Sequence, residues 1–150
     1  MGNIFNSDFR DFISALNAAG VRYILVGGYS VILHGYPRTT GDMDIWVERT
    51  TENYNLIKKA FDRFGMPVFD MTEENFLEHP LWDVFTFGKP PAAIDIMIRL
   101  QGVEFDAAFE RAVMFSEDGL EIRTIHRNDL ITAKQSAGRW KDLDDLQNLG

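Results

Sequence analysis

The sequence predicts an α/β (α+β) fold, in which a mixed β-sheet is flanked by helices and the C-terminal segment is helical. Apolar runs of strand length alternate with segments of helical periodicity along most of the chain. Two strand-like runs on either side of the turn Gly88–Pro91 add a hairpin, so the sheet is expected to be mixed rather than all parallel. Helical spacing returns after Asn128. A length of 150 residues, 45% of them hydrophobic, predicts a single domain covering 1–150.

The individual elements are predicted from apolar periodicity and from residues that start or stop helices. Ser7 and Thr51 are suited to begin helices, whereas Gly20, Pro37 and Gly65 are suited to end them. Apolar residues that alternate with polar ones indicate half-buried strands. The predicted elements in chain order are a helix from Ser7 to Gly20, a strand Val21–Val26, a short helix Ser30–Tyr36, a strand with Met43, Ile45 and Val47 on one face, a helix from Thr51 to Gly65, one turn of helix after Thr72, strands Trp82–Phe87 and Ala93–Leu100, a helix Phe105–Ala112, a turn at Glu117–Gly119 leading to a strand that ends at Ile125, and helices from Asn128 or Asp129 to Ala137 and from Lys141 to Leu149.

Two carboxylates stand one residue apart in an apolar strand. Side chains of a strand alternate between its faces, so Asp42 and Asp44 are expected on the same face. Two negative charges against a packed sheet are costly unless a positive charge neutralises them. Oxygen ligands of this kind suit Mg²⁺ or Mn²⁺, so the pair predicts a divalent metal site.

A third carboxylate, Asp95, lies in another apolar strand, where Asp is rare. If the two strands are neighbours, all three acids converge and could hold two metal ions for phosphoryl chemistry. The glycine pair Gly27-Gly28 after the first strand could hold phosphate close by. The alternatives are that Asp95 forms a structural ion pair with Arg38 or Arg99, and that the glycines form a plain turn.

Charge and composition narrow the classes of partner. The net charge is -8, with 15 basic and 23 acidic residues, so a large nucleic acid would have to use a local basic patch. A small anionic substrate bridged by metal fits the charge better. The absence of cysteine excludes disulfides and zinc–thiolate sites and favours a cytoplasmic location. No apolar run is long enough to predict a membrane partner.

Taken together, these residues resemble the polymerase-β-like nucleotidyltransferases. The pattern of that superfamily is an apolar strand, a glycine turn, a short helix, Asp-x-Asp on the next strand and a later third acid. An R-x-T-x-D-x-D arrangement is similar to the small bacterial and archaeal members. Its positions are Arg38, Thr40, Asp42 and Asp44.

The C-terminal segment DLITAKQSAGRWKDLDDL extends this resemblance. It is similar to the D-x-x-x-x-K and R-x-K-D-x-x-D motifs of the nucleotidyltransferase toxins of abortive-infection, type IV toxin–antitoxin systems. The matching positions are Asp129, Lys134, Arg139, Lys141, Asp142 and Asp145. The resemblance spans the chain from about Val21 to Leu149.

The resemblance implies a role for each motif residue. The implied catalytic and metal-binding residues are Asp42, Asp44 and Asp95, with Mg²⁺ or Mn²⁺ as cofactor in two sites. Asp95 would also help to deprotonate the acceptor. The implied nucleotide-binding residues are Gly27, Gly28, Ser30, Arg38, Thr40 and Lys134. In this scheme the glycine backbone and the N-terminus of the helix at Ser30 hold phosphates, Lys134 reaches a phosphate, and Arg38 neutralises triphosphate charge.

The function implied is transfer of a nucleoside monophosphate from a nucleoside triphosphate to an acceptor hydroxyl, with release of pyrophosphate. RNA, a protein and a small molecule all remain open as acceptor. The chain lacks the long helical domain of larger members, so a partner protein or a homodimer could complete the site. One alternative is a non-catalytic or partner-dependent nucleotide-binding module of a toxin–antitoxin or regulatory system. Another is a metal-dependent phosphohydrolase that uses water as acceptor.

Overall fold

A six-stranded mixed sheet organises the structure, a computed structural model that describes residues 5–36, 38, 40–88 and 93–138. Its helices and strands in chain order are α1 (Ser7–Ala19), β1 (Tyr23–Val26), α2 (Gly27–Leu33), β2 (Met43–Val47), α3 (Thr51–Phe64), α4 (Glu73–Leu77), β3 (Val84–Phe87), β4 (Ile94–Met97), α5 (Phe105–Arg111), β5 (Val113–Glu117), β6 (Leu120–Thr124) and α6 (Arg127–Ala137). The strand order across the sheet is β3-β4-β2-β1-β6-β5. The predicted α/β class with a mixed sheet and a C-terminal helix is confirmed.

The pairing of the strands brings distant parts of the sequence together. Strand β2 runs antiparallel to β1 and parallel to β4, with Asp44 opposite Val26 on one side and Asp95 on the other. Strand β4 pairs antiparallel with the outer strand β3, where Thr86 is opposite Asp95. On the other side of the sheet, β1 is parallel to β6, and β6 forms an antiparallel hairpin with β5. The strand with Asp44 and the strand with Asp95 are therefore neighbours, as the predicted convergence requires.

The two faces of the sheet bury different residues. On one face, Met43, Ile45 and Val47 join a large core with residues of α1 and α3, such as Phe12 and Phe61. A smaller cluster covers the opposite face. Its buried members are Ile24, Val26, Val31, Trp46, Ala108, Ile125 and Leu130. The predicted alternation along β2 is thus confirmed, and it leaves the Asp44 position on the face of the smaller cluster.

Several helix starts differ from the prediction. The side chain of Asn6, not Ser7, caps α1 by accepting a hydrogen bond from the Phe9 backbone N–H at 2.8 Å. Helix α2 begins at Gly27 and not at Ser30, because glycine takes the φ of +73° with which the chain passes directly from strand to helix. Helix α6 is capped by His126, whose Nδ1 accepts from the Asn128 N–H at 3.0 Å, and not by Asn128 or Asp129.

The hairpin of β5 and β6 is only half predicted. The turn after Glu117 and the strand that follows it are present, but β5 was not predicted as a strand. Asp118 and Gly119 have φ values of +52° and +82°, as the tight turn between right-handedly twisted strands requires. The predicted residues beyond Gly88 in the turn at Gly88–Pro91, the stop at Pro37 and the helix Lys141–Leu149 lie outside the described residues. No described helix combines the length and apolar character needed to cross a bilayer.

Candidate functional site

Asp44 and Asp95 occupy directly paired positions on the neighbouring parallel strands β2 and β4. Side chains at paired positions point to the same face of a sheet, about 4.8 Å apart at the backbone. Thr86 on β3 continues the row, and its hydroxyl donates a hydrogen bond of 2.6 Å to Oδ1 of Asp95. Both aspartates are partly exposed. Two carboxylates therefore stand side by side at the surface of the smaller cluster, one of them oriented by a threonine.

The glycine turn lies against Asp44 and against the loop before β2. A Cβ built on Gly27 would overlap the carboxylate of Asp44, and a Cβ on Gly28 would overlap Thr40 and come within 3.4 Å of the Arg38 guanidinium. Ser30 is fully buried, and its hydroxyl donates to the Gly27 carbonyl at 2.6 Å. Only glycine fits at these two positions. Ser30 supports the turn from within rather than starting the helix.

Lys134 lies at the same cavity as Gly27 and Asp44. Helix α6 carries it to a cavity of about 70 Å³ that is also lined by Val26, Gly27, Asp44 and Met97. The lysine is only 6% exposed. The D-x-x-x-x-K segment thus brings a buried lysine to the cavity that Asp44 also lines.

Asp42 lies one residue before β2, partly exposed. Its backbone carbonyl accepts a hydrogen bond of 3.5 Å from the Thr40 hydroxyl. Burial, and to a lesser degree the negative charge of Asp42, raises the pKa of Tyr29 on α2. Asp42 therefore lies close enough to α2 for its charge to act on Tyr29.

The described residues supply two of the carboxylate ligands that a divalent ion would need. Asp44 and Asp95 offer two carboxylates on one face, and Mg²⁺ is commonly held by one or two carboxylates together with waters and substrate phosphates. Within residues 5–36, 38, 40–88 and 93–138 there is no group of three His, Cys, Asp or Glu side chains placed to hold a metal. The convergence of all three aspartates in one ligand group is therefore not seen in the described part of the chain. The motif positions Arg139, Lys141, Asp142 and Asp145 lie outside it.

Two contacts beside the site were missed by the sequence analysis. One is the hydrogen bond from Thr86 to Asp95, which depends on strand register. The other is a bidentate ion pair in which Arg111 of α5 donates to both carboxylate oxygens of Asp129 in α6, at 2.9 and 2.8 Å. Hydrogen bonding to Asp129 and the charge of that residue raise the pKa of Arg111. The motif had marked Asp129, but nothing in the sequence indicated which residue it would pair with.

Comparisons with known proteins identify a family and similar folds. Curated proteins give no match in sequence. Among solved structures, TM1012 of Thermotoga maritima, assigned as a nucleotidyltransferase, superposes with a TM-score of 0.61 at 18% identity, over 93% of this chain and 88% of that one. The lincosamide antibiotic adenylyltransferase LnuA, solved with lincomycin bound, also gives a TM-score of 0.61, at 15% identity, over 99% of this chain and 98% of LnuA. These similarities establish that the chain has the fold of these nucleotidyltransferases.

A sequence model of a protein family covers most of the chain, matching residues 8–150. With that match, the chain belongs to the family described as nucleotidyltransferase of unknown function (DUF6036).

Proposed function

We propose that this protein is an enzyme that transfers a nucleoside monophosphate from a nucleoside triphosphate to an acceptor hydroxyl and releases pyrophosphate. The observation that supports this most is the pairing of Asp44 with Asp95 beside a turn in which only glycine fits. Membership of a nucleotidyltransferase family supports the reaction class. The toxin-like role, the cytoplasmic location and a partner protein or homodimer remain predictions.

The proposed step is an in-line displacement at the α-phosphorus. The acceptor oxygen forms a bond to that phosphorus while the bond to the bridging oxygen of the β-phosphate breaks. The hydroxyl proton passes to the carboxylate of Asp95, and pyrophosphate leaves with the bonding electron pair. Thr86 donates to Oδ1 of Asp95, which holds the carboxylate in one orientation and leaves Oδ2 for the acceptor proton.

Mg²⁺ or Mn²⁺, held by Asp44 and Asp95 and with Asp42 as a further candidate ligand, would neutralise charge on the triphosphate. The chain's own groups would position the rest of the nucleotide. The backbone at Gly27-Gly28 offers close approach to a phosphate, since no side chain stands in the way. Lys134, which lines a cavity with Gly27, and Arg38, which lies beside Gly28, would neutralise phosphate oxygens, and Thr40 would line the same turn.

The test compares Asp44→Asn and Asp95→Asn with Asp106→Asn. Asp106 is an exposed carboxylate that pairs with Arg22 at 3.4 Å and lies outside the site, so it controls for loss of charge alone. Transfer of label from α-³²P nucleotides should fall at least about 100-fold in both site variants, the effect typical of losing one electrostatic contact to a transition state, and stay unchanged in the control.

Full transfer by either site variant would contradict the proposal. Nucleotide binding by a folded wild type without any transfer would favour the non-catalytic module. Release of nucleoside monophosphate without an acceptor would favour the phosphohydrolase. Circular dichroism on each variant checks that the fold is retained.

A further inference from the structure

We propose that a groove beside the outer strand β3 binds the acceptor, and that the acceptor is a small organic cation with an apolar body and a hydroxyl group. This inference rests on the proposed transfer reaction. It narrows the acceptor from three open classes to one.

The groove, called the β3 groove below, has a volume of about 550 Å³, within the range of small-molecule sites. Its lining residues are Phe69, Asp70, Met71, Trp82, Phe85, Thr86, Phe87 and Gly88. Trp82 stacks on Phe85 with ring centroids 4.9 Å apart, and Phe69 lies 6.4 Å from Phe87. Phe85 and Phe87 are almost completely buried, so Phe69 and Trp82 are the aromatic lining residues that present ring surface to a small ligand.

The side chain of Phe69 is exposed to solvent. It is 66% exposed and has a φ of +49°, a conformation that costs a non-glycine residue roughly 1–2 kcal/mol. The Tyr54 hydroxyl donates to the Met71 carbonyl at 2.8 Å and fixes the end of this loop. A strained, exposed aromatic ring on an anchored loop is the kind of feature that is retained for binding.

The charge around the β3 groove excludes one class of acceptor and favours another. The segment 66–89 has five acidic residues and one basic residue, Lys89; the acidic residues are Asp70, Glu73, Glu74, Glu78 and Asp83. Arg99 offsets Asp83, and Arg49 is directed to backbone carbonyls of Phe76 and His79. A polyphosphate backbone such as RNA would be repelled here. Aromatic faces beside a carboxylate favour an organic cation.

The β3 groove is also lined by the residue that orients Asp95. Thr86, Phe87 and Gly88, which line it, form the end of β3 at which Thr86 donates to Asp95. Phe85 and Phe87 alternate with Thr86 and face the large core, so Thr86 is the lining residue that connects the groove with the face that carries Asp95. An acceptor in the groove would therefore reach Asp95 past Thr86. The nucleotide side lies on the other side of the aspartate pair, at β1 and α6.

The experiment is a calorimetric titration with three matched probes: benzyltrimethylammonium, benzyl alcohol and phenylmethanesulfonate. The cation should bind about tenfold more tightly than the anion. Phe69→Asn should weaken cation binding about tenfold while retaining stability, since asparagine tolerates positive φ. Asp70→Asn should weaken the cation but not the alcohol. The control is Leu81→Asn, an 87% exposed leucine outside the groove, which should change nothing.

Equal affinity for cation and anion, or unaltered binding to Phe69→Asn, would overturn the inference. So would displacement of the cation by a nucleoside triphosphate, since the groove would then hold the base, or a wild-type dimer that Phe69→Asn dissociates. Asp44→Asn should abolish triphosphate binding and leave probe binding intact. A failure of the proposed function thus shows in the nucleotide titration, separately from a failure of the groove.

Discussion

The two sides of the Asp44–Asp95 pair differ in every property that decides what binds. The nucleotide side is made of backbone and positive charge: a turn at Gly27-Gly28 without room for a side chain, with Arg38 and buried Lys134 beside it. The β3 groove is made of aromatic rings and negative charge. Strands β4 and β2 lie between the two sides, and Thr86 of β3 donates a hydrogen bond to Asp95 at their boundary.

The difference shows how one small domain can keep two ligands apart. Phosphate is recognised by close approach of backbone and by cations, whereas an organic cation is recognised by ring faces and carboxylates. Neither side offers the chemistry that the other ligand needs. A substitution on one side should therefore weaken ligand binding on that side alone. The following variants test that separation.

The largest effect is expected for Gly27→Ala. The added methyl group would collide with the Asp44 carboxylate at a backbone φ of +73°. Gly20 has the same φ and nothing within 4 Å of a built Cβ, so Gly20→Ala matches the backbone strain without the collision. Gly20→Ala should lose roughly 1–2 kcal/mol in urea unfolding, and Gly27→Ala at least as much because of the added collision. Only Gly27→Ala should lose nucleoside triphosphate affinity, by tenfold or more.

Benzyltrimethylammonium binding should be the same in both glycine variants. If Gly27→Ala weakened the β3 groove as much as the nucleotide side, the separation of the two sides would be wrong.

A smaller effect is expected for Asp129→Asn. The bidentate pair with Arg111 joins α5 to α6, and α6 carries Lys134 to the cavity beside Asp44. Loss of a contact that orients a metal ligand costs about tenfold or more in metal affinity, and we expect a comparable effect on Lys134. We therefore expect triphosphate binding to weaken about tenfold in calorimetry, with binding of the uncharged nucleoside little changed. Asp106→Asn removes a surface ion pair with Arg22 and serves as the control. Equal losses for nucleoside and triphosphate would indicate a general structural effect instead.

The smallest effect concerns Tyr54, which anchors the loop of the β3 groove. Burial, and the charge of Glu73, raise the pKa of its hydroxyl above 10.0. The folded state then retains a proton that the unfolded state loses, so the free energy of unfolding should fall as pH rises past 10. Tyr54→Phe should be less stable at pH 7 by about 1 kcal/mol, because the Met71 carbonyl loses its donor. It should also show a shallower alkaline loss of stability in urea titrations from pH 8 to 11. An unchanged slope would contradict this reading.

Much of the fold follows from local pattern. The glycine stop at Gly65 and the alternation of Met43 and Ile45 with Asp44 are visible in the sequence, because helix ends and strand faces depend on neighbouring residues. Strand β5 is not visible, because an edge strand that buries little has no distinct apolar face. The start of α2 was placed three residues late, since the pattern shows apolar faces but not where a glycine turns the backbone.

The residues of the candidate site could likewise be predicted only in part from the sequence. The aspartates and glycines could be named from spacing, but their meeting depends on the register of β2 against β4, which the sequence does not specify. Lys134 resembles an ordinary charged residue of a surface helix. It is buried because α6 packs across the sheet, and tertiary packing of this kind leaves no local signal.

The pairing of Leu25 with Thr124 has a consequence for synthesis of the protein. A chain leaves the ribosome from its N-terminus, so β1 to β4 can pair, and Asp44 can meet Asp95, before β6 is made. Until then the inner edge of β1 presents unpaired backbone groups to solvent, the feature that promotes aggregation of incomplete sheets. The arrival of β6 covers that edge and delivers α6 directly behind it. We therefore expect the pairing of β6 with β1 and the formation of the cavity around Lys134 to be coupled during folding.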